Sequence, residues 1–515
     1  MLNVIWIIVD SVRNYTCPAA RLDDRGRLKV MDELAAEWVD FRTVVTSAPS
    51  TLMSMGAMFT GWPSYYIGSA FEGLTMSDSG LPTIGSCLKR HGYHCYCVTH
   101  YTWGRECWAP VFDPLPKRVW PRRLTHRREW TNAETNRALF HFLDHVFEQP
   151  LFLFIHYNCR GDPDISRHVR AGIESLRERG YFENSAILLS SDHGYPDPLR
   201  REEVARRRQE LGLRADEVAH DLLMTDDNVL VPLLLTYPGS RPMRIEQQIC
   251  TLDYLPTSLE LAGVRISNVG TGLSAVPLLR GGDMPELQGR KVRIDGRFMA
   301  QSGRVTAIRS RSRKYVVYAD RSVGEREEFY DLARDPLEIQ ELIRMGLKGY
   351  EGDLEEYRRA YDEDQARARQ FQAETLGRKY RRQLQTLVGT NMQPFKRVLY
   401  VGTNRPEFDH MVETVLREVF HDCKVVSARE AELPGGAFDL VHAGIVSKFG
   451  NHSLFRRIGS LSATHKILID LATNLIRFSR FQVIVVLRGL WAKRDWYLQE
   501  PMYFVSEVCD KLRGV

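Results

Sequence analysis

The sequence predicts an α/β protein in which helices cover a parallel sheet, followed by a small antiparallel subdomain and a second α/β unit. Three observations predict it. Short apolar runs rich in β-branched residues recur up to residue 236, each followed by a helical pattern. Near residue 290 they give way to short strands joined by turns. From residue 397 the apolar runs and helical patterns resume.

In the first region, Val4-Ile-Trp-Ile-Ile-Val9, His94-Cys-Tyr-Cys-Val98, Leu151-Phe-Leu-Phe-Ile155, Ala186-Ile-Leu-Leu-Ser190 and Val231-Pro-Leu-Leu-Leu-Thr236 read as buried strands. Thr83–His91, Asn132–Phe147 and Ser166–Arg179 read as helices between them. Continuous apolar strands alternating with helices indicate a parallel sheet sandwiched by helices. Ligands in such sheets sit beyond the carboxyl ends of the strands. We assign residues 1–285 to this domain. Val305-Thr-Ala-Ile-Arg309, Lys314-Tyr-Val-Val-Tyr318 and Glu328-Phe-Tyr330 are short strands of an antiparallel subdomain, residues 286–345.

Residues 346–394 are dense in Glu, Arg, Gln and Ala without a sustained a/d repeat, so they read as a charged helical linker rather than a coiled coil. Beyond it, Arg397-Val-Leu-Tyr-Val-Gly402, Phe438-Asp-Leu-Val441, Lys466-Ile-Leu-Ile-Asp470 and Gln482-Val-Ile-Val-Val-Leu487 are strands, with a helix at His410–Phe420. Residues 395–515 thus resemble a Rossmann-like α/β domain. Its first turn, Gly402-Thr-Asn-Arg-Pro, is not GxGxxG, so dinucleotide binding is unsupported.

Bulk properties narrow the classes. A chain of 515 residues is too long for one core and predicts two to four domains. The net charge of +5, from 70 basic and 65 acidic residues, does not call for a nucleic-acid partner. Basic clusters at Lys117 to Arg128 and at Arg200 to Arg208 read as solvated faces. The nine cysteines form no CxxC pair, which fits reduced thiols and a reducing compartment. Met1-Leu2-Asn3 leads straight into an apolar run with no basic leader, and no stretch reaches about twenty apolar residues. The expectation is a cytoplasmic protein without a membrane span.

Four features fall where strands end. Asp10 closes the first strand, Thr51 opens a helix, Asp192-His193-Gly194 follows the strand ending at Ser190, and His220 precedes another strand. Singly, each has a bland reading: an aspartate or threonine beside a helix is most often a cap, and a lone histidine is usually just hydrogen-bonded. Their joint order carries the signal.

That order resembles the alkaline phosphatase/sulfatase superfamily over roughly the first 340 residues. Asn3-Val-Ile-Trp-Ile-Ile-Val-Asp10 resembles its opening strand with a metal-binding aspartate. Ala48-Pro-Ser-Thr51-Leu-Met-Ser54-Met-Gly-Ala-Met-Phe-Thr-Gly61 resembles the nucleophile segment, and Ser190-Ser-Asp192-His193-Gly194 the second metal segment. His220-Asp-Leu-Leu-Met, then Val231-Pro, is similar to the segment that carries a leaving-group histidine or lysine. Leu252-Asp-Tyr-Leu-Pro-Thr257 and Phe329-Tyr-Asp-Leu-Ala-Arg-Asp-Pro336 match non-catalytic features.

The resemblance implies an alkaline-phosphatase-like catalytic domain at 1–285, with 286–345 as its subdomain. It also implies one divalent metal held by Asp10, Thr51, Asp192 and His193. The imidazole ligand favours zinc or manganese, with magnesium or calcium also open. Coordination would turn the Thr51 hydroxyl into a nucleophile. His220 would protonate the leaving alcohol or hold an ester oxygen.

Departures from the family narrow this. Sulfatases resemble Cys-x-Pro-Ser-Arg at the nucleophile, but Thr51-Leu-Met-Ser54-Met55 lacks both the convertible residue and the arginine. Ser11 follows Asp10 where sulfatases carry a second aspartate. The set resembles the single-metal branch of phosphoethanolamine and lipoteichoic-acid phosphotransferases. In Phe154-Ile-His156-Tyr-Asn-Cys-Arg160-Gly-Asp162, Arg160-Gly161 stands where relatives carry an active-site histidine. Arg160 either clamps a phosphate or is a surface arginine.

The expected function is a phosphoester hydrolase or phosphotransferase acting through Thr51 on a small-molecule or glycan phosphoester. The alternatives are a sulfatase working without formylglycine and a pseudoenzyme scaffold whose C-terminal domain binds a partner. Joint retention of Asp10, Thr51, Asp192, His193 and His220 argues against the scaffold.

Overall fold

The computed structural model describes residues 1–14, 28–67, 81–99, 111–113, 130–146, 148–159, 162–196, 200–210, 220, 223–266, 269–297, 304–320, 324–389, 397–401, 406–420, 424–428, 437–443, 462–470, 474–479 and 482–484. Two compact units divide the chain near residue 365.

The first unit is built on a sheet of β1 (Asn3–Asp10), β2 (Val39–Val45), β3 (His94–Thr99), β4 (Leu151–Asn158), β5 (Ser185–Ser190), β6 (Leu230–Thr236), β7 (Met243–Ile245) and β8 (Ile249–Cys250). The order is β3-β4-β1-β5-β6-β2-β7, with β8 also on β2. The central strand β1 lies between β4 and β5, every residue of it buried. It is apolar because both of its faces are covered.

The sheet is not wholly parallel. β6 runs antiparallel to both β5 and β2. The chain leaves β5, makes an excursion, and returns to the same rim, where the Gly194 amide bonds to the Asn228 carbonyl at 2.8 Å. A strand entered from that rim must run backwards. Neither this direction nor β2 is visible as an apolar run: β2 carries Asp40, Arg42 and Thr43. Asp40 is nonetheless buried, held at 2.9 Å by the Arg42 guanidinium.

Helices among the described residues of this unit are α1 (Lys29–Leu34), α2 (Thr51–Thr60), α3 (Ile84–Lys89), α4 (Asn132–His145), α5 (Ile165–Glu178), α6 (Arg201–Glu210), α7 (Asp226–Val229), α8 (Tyr254–Leu261), α9 (Val276–Leu279) and the first part of α10 (Glu351–Gly389), up to Gln365. Capping boxes on Thr83 with Ser86, and on Thr131 with Glu134, start α3 and α4. On one face of the sheet, Ile5, Ile7 and Val9 pack with Leu139 and Phe142 of α4 and with Val169, Ile173 and Leu176 of α5. On the other, Trp6 stacks on Phe59 of α2 and meets Tyr254 of α8 edge-on. Its indole N–H donates to Ser258 at 2.9 Å. Period-two alternation along β1 thus fills two opposite layers.

A second sheet, order β12-β11-β10-β9, is antiparallel throughout: β9 (Val292–Arg297), β10 (Arg304–Arg309), β11 (Arg313–Asp320) and β12 (Gly324–Asp331). Leu354, Tyr357 and Tyr361, early in α10, pack on Tyr315, Val317 and Phe329 of this sheet.

In the second unit, β13 (Arg397–Val401), β14 (Lys424–Ala428), β15 (Ala437–Ala443), β16 (Ser462–Asp470), β17 (Asn474–Ser479) and β18 (Gln482–Ile484) take the order β14-β13-β15-β16-β17-β18. The first four in that order are parallel, and the last two add an antiparallel hairpin. α11 (Pro406–Val419) buries Val412, Val415 and Leu416 at helical spacing. The turn after Gly402 and the basic stretch at 117–128 lie outside the described residues. Arg200 departs from the solvated reading: it is half-buried, paired with Asp227 and Glu203 at 3.2 and 3.0 Å. No helix among the described residues is long and apolar enough to cross a membrane.

Candidate active site

Asp10 and the Asp192 segment meet because adjacent parallel strands, β1 and β5, end together. Past Asp10 the chain turns sharply at Ser11, whose φ is 63°. The Ser11 hydroxyl donates to Asp10 Oδ1 at 2.5 Å, and its amide donates to Asp192 Oδ1 at 3.2 Å. The His193 amide donates to the same Asp192 oxygen at 2.9 Å. One carboxylate oxygen is therefore committed to backbone amides. The other, Oδ2, is buried with no hydrogen-bond partner.

Thr51 is the first residue of α2, entered from an extended Ser50. Its Oγ1 lies 3.3 Å from His193 Nε2. The same nitrogen is 3.5 Å from Asp10 Oδ1 and 3.6 Å from Asp192 Oδ2. Ligand atoms of Asp10, Asp192 and His193 all lie within 4.8 Å of one another, and all three residues are buried.

His193 Nδ1 sits 2.6 Å from the Gly194 carbonyl. A carbonyl can only accept, so the proton is on Nδ1 and the Nε2 lone pair faces the carboxylates. Burial pushes the Asp192 carboxyl up to about 6, and Asp10 adds to the rise while His193 and the Thr51 hydroxyl oppose it. Two buried carboxylates, an unpartnered carboxylate oxygen and a tautomer-fixed imidazole fit a divalent cation.

His220 joins the group. Its ring lies 4.8 Å from that of His193, centroid to centroid, and Tyr195 meets it edge-on at 5.9 Å. Asn228, at the end of α7, donates its side-chain amide to the His220 carbonyl at 2.6 Å and to the Leu223 carbonyl at 2.5 Å. Gly194 must be glycine here, because a Cβ would lie 2.3 Å from the Asp227 carbonyl oxygen.

Of the residues expected from sequence, the structure brings Asp10, Thr51, Asp192, His193 and His220 together. Arg160 lies outside the described residues.

Other participants were not singled out from sequence. Arg13 is buried three residues after Asp10. The Cys159 thiol is pushed up to about 11 by burial, with Asp10 and Asp162 adding and Arg13 opposing, so both Asp10 and Arg13 act on the end of β4. Thr46, Ser54 and Asn228 act through backbone carbonyls, which no motif marks. The signal for Ser54 was its match to the serine of Cys-x-Pro-Ser-Arg, one turn after Thr51.

A buried ionic cluster backs α7. Arg309 grips both oxygens of Asp226 at 2.9 and 2.7 Å, and Lys314 joins Asp226 and Glu338 at 2.6 and 2.5 Å. Farther away, Asp253, in the motif Leu252-Asp-Tyr, accepts two hydrogen bonds from Arg290 at 2.7 and 2.9 Å and is structural.

The sulfatase family model matches residues 2–158, and that of the N-sulphoglucosamine sulphohydrolase C-terminal region matches residues 220–348. A Δ4,5-hexuronate-2-O-sulfatase of Bacteroides thetaiotaomicron is 25% identical over 230 residues, 43% of this chain and 40% of that one. A choline-sulfatase of Rhizobium meliloti is 28% identical over 173 residues, 33% of this chain and 29% of the relative. The chain thus spans less than half the length of the curated relatives it matches. The crystal structure of a phosphonate monoester hydrolase of Agrobacterium radiobacter shares the fold, with a TM-score of 0.51 over 72% of this chain and 95% of that one at 15% identity. With sulfatase-type models matching in order on either side of the site, and the fold shared besides, the chain belongs to the alkaline phosphatase/sulfatase superfamily.

Proposed function

We propose that the chain is a metal-dependent hydrolase or transferase of phosphate-type esters, with Thr51 as the nucleophile. The observation that carries this is the Thr51 hydroxyl, 3.3 Å from His193 Nε2 and beside the Asp10, Asp192 and His193 ligand atoms. A divalent ion held by those residues and Thr51 would lower the hydroxyl's pKa and draw charge from the ester oxygens.

The protein's own groups supply the rest. Thr51 opens α2, so the partial positive charge of the helix terminus favours an anionic ester there. Arg13 offers a buried positive charge on the same side. In the first step the bond from Thr51 Oγ1 to phosphorus forms as the bond to the alcohol breaks. The hydroxyl proton passes from Thr51 to water, a protonated His220 gives one to the departing alkoxide, and His220 regains one from water, so the net transfer is one proton from Thr51 to the alcohol. Water or a second alcohol then attacks phosphorus and frees Thr51. The substrate is a small-molecule or glycan ester.

A second reading, sulfate-ester hydrolysis, is favoured by the names of both curated relatives. Against it stands Thr51 itself. A secondary alcohol oxidises to a ketone, so the aldehyde of formylglycine cannot form at this position.

The test is metal content by mass spectrometry, with turnover of aryl phosphate, phosphodiester and sulfate esters by wild type and Thr51→Ala. One bound metal and phosphoester turnover that Thr51→Ala abolishes would support the reading. Activity indifferent to the substitution would sink it, and turnover of sulfate alone would move the assignment to the second reading.

A further inference from the structure

Asp192 leaves β5 in an irregular stretch with no strand neighbour for its carbonyl. Two hydroxyls replace that neighbour. Thr46, directly after β2, donates to the Asp192 carbonyl at 2.6 Å, and Ser54 of α2 donates to it at 2.7 Å. The two hydroxyl oxygens are 3.1 Å apart, and Thr46, Ser54 and Asp192 are all fully buried. A carbonyl oxygen has two lone pairs, and both are taken.

Ser54 lies one turn along α2 from Thr51. The helix that presents the nucleophile therefore grips the backbone of the ligand segment, while Thr51 meets His193 directly. Thr46 fixes the same point from the sheet, through β2. Both hydroxyls act on the backbone oxygen of Asp192 and on none of its carboxylate atoms.

We infer that Thr46 and Ser54 are positioning residues: they clamp the Asp192 carbonyl, and so hold the Asp192–His193 ligand pair in register with Thr51. The inference rests on the metal-dependent reading of this site. If either hydroxyl is lost, the peptide carrying both ligands keeps a single tether and can rotate. Outer partners that orient ligands in this way typically contribute roughly 10- to 100-fold in metal affinity.

The experiment titrates manganese alone into the full chain, by calorimetry, for wild type, Thr46→Val, Thr46→Ser and Ser54→Ala, with the melting temperature of each metal-free protein in parallel. Thr46→Val keeps the shape and removes the hydroxyl; Thr46→Ser keeps the hydroxyl. Thr46→Val and Ser54→Ala should each weaken manganese binding by roughly 10- to 100-fold, and Thr46→Ser should bind like wild type. A merely structural role would lower melting temperatures and leave the affinity of the folded protein unmoved.

Wild-type affinity in Thr46→Val or Ser54→Ala overturns the clamp, as does equal weakening in Thr46→Ser and Thr46→Val. If one hydroxyl-free variant fails to fold, the other decides. A wild type that binds no manganese overturns the clamp together with its ligand set. Manganese binding that falls as expected in a protein without ester turnover keeps the clamp and removes the proposed function instead.

Discussion

Asn228 ties His220 to the metal segment: its side-chain amide donates to the His220 carbonyl at 2.6 Å, while its own carbonyl accepts the Gly194 amide at 2.8 Å. Gly194 in turn fixes the His193 tautomer. The two histidines are thus joined through one asparagine as well as through their facing rings. Asn228→Ala removes the side-chain donor from two carbonyls and keeps the backbone link. Turnover should fall on the order of 10- to 100-fold, the scale of a misplaced catalytic group, with manganese affinity nearly unchanged. Steady-state kinetics beside calorimetry check this.

Thr51→Ser keeps a hydroxyl at the start of α2 and should retain turnover within about tenfold. Thr51→Ala should lose at least about 1,000-fold, as expected for a missing nucleophile. Equal activity in the two variants would place the nucleophile elsewhere. The readout is kcat with an aryl phosphate.

Asp226 should be the acid-sensitive point of the fold. Burial alone would raise its carboxyl, but Arg309 and Lys314 outweigh that and hold it well below the usual range. A depressed folded pKa contributes stability that is present above the unfolded value, near 4, and is lost as pH falls through the folded one. Asp226→Asn should cost about 3–5 kcal/mol, because Arg309 and Lys314 lose the charge they were paired with. It should also flatten the acid limb of stability measured by denaturant unfolding between neutral pH and pH 3.

Metal binding should depend on pH with the opposite cause. Asp192 is held up to about 6 chiefly by burial, so below that pH a proton competes with the cation. Manganese affinity should fall by roughly tenfold per pH unit below 6 and level off above it. At 100 times the dissociation constant, manganese should stabilise the fold by about 2.7 kcal/mol, and a chelator should remove that gain. Calorimetry at pH 5 and 7.5, with melting curves, tests both.

The parts of the fold legible in the sequence are those with an unbroken apolar period. β1 and β5 read as strands because both faces are buried, and their ends point to Asp10 and Asp192. β2 escaped because Asp40 and Arg42 satisfy each other within the strand. β9 escaped because Arg293, set between Val292 and Ile294, is buried against Asp295 and Asp364. The direction of β6 is a property of the path taken, not of residue type. Thr51, His193 and His220 were visible as side chains in order, whereas Thr46, Ser54 and Asn228 work on backbone oxygens, a partnership that exists only once distant segments meet.

The reversal of β6 has a consequence for how such a protein can change. Both ends of the excursion between β5 and β6 are anchored at one rim, by the Gly194–Asn228 bond. The stretch between those anchors therefore brings His220 to the ligand pair from outside the sheet, so its length need move neither strand as long as His220 and Asp226 keep their places.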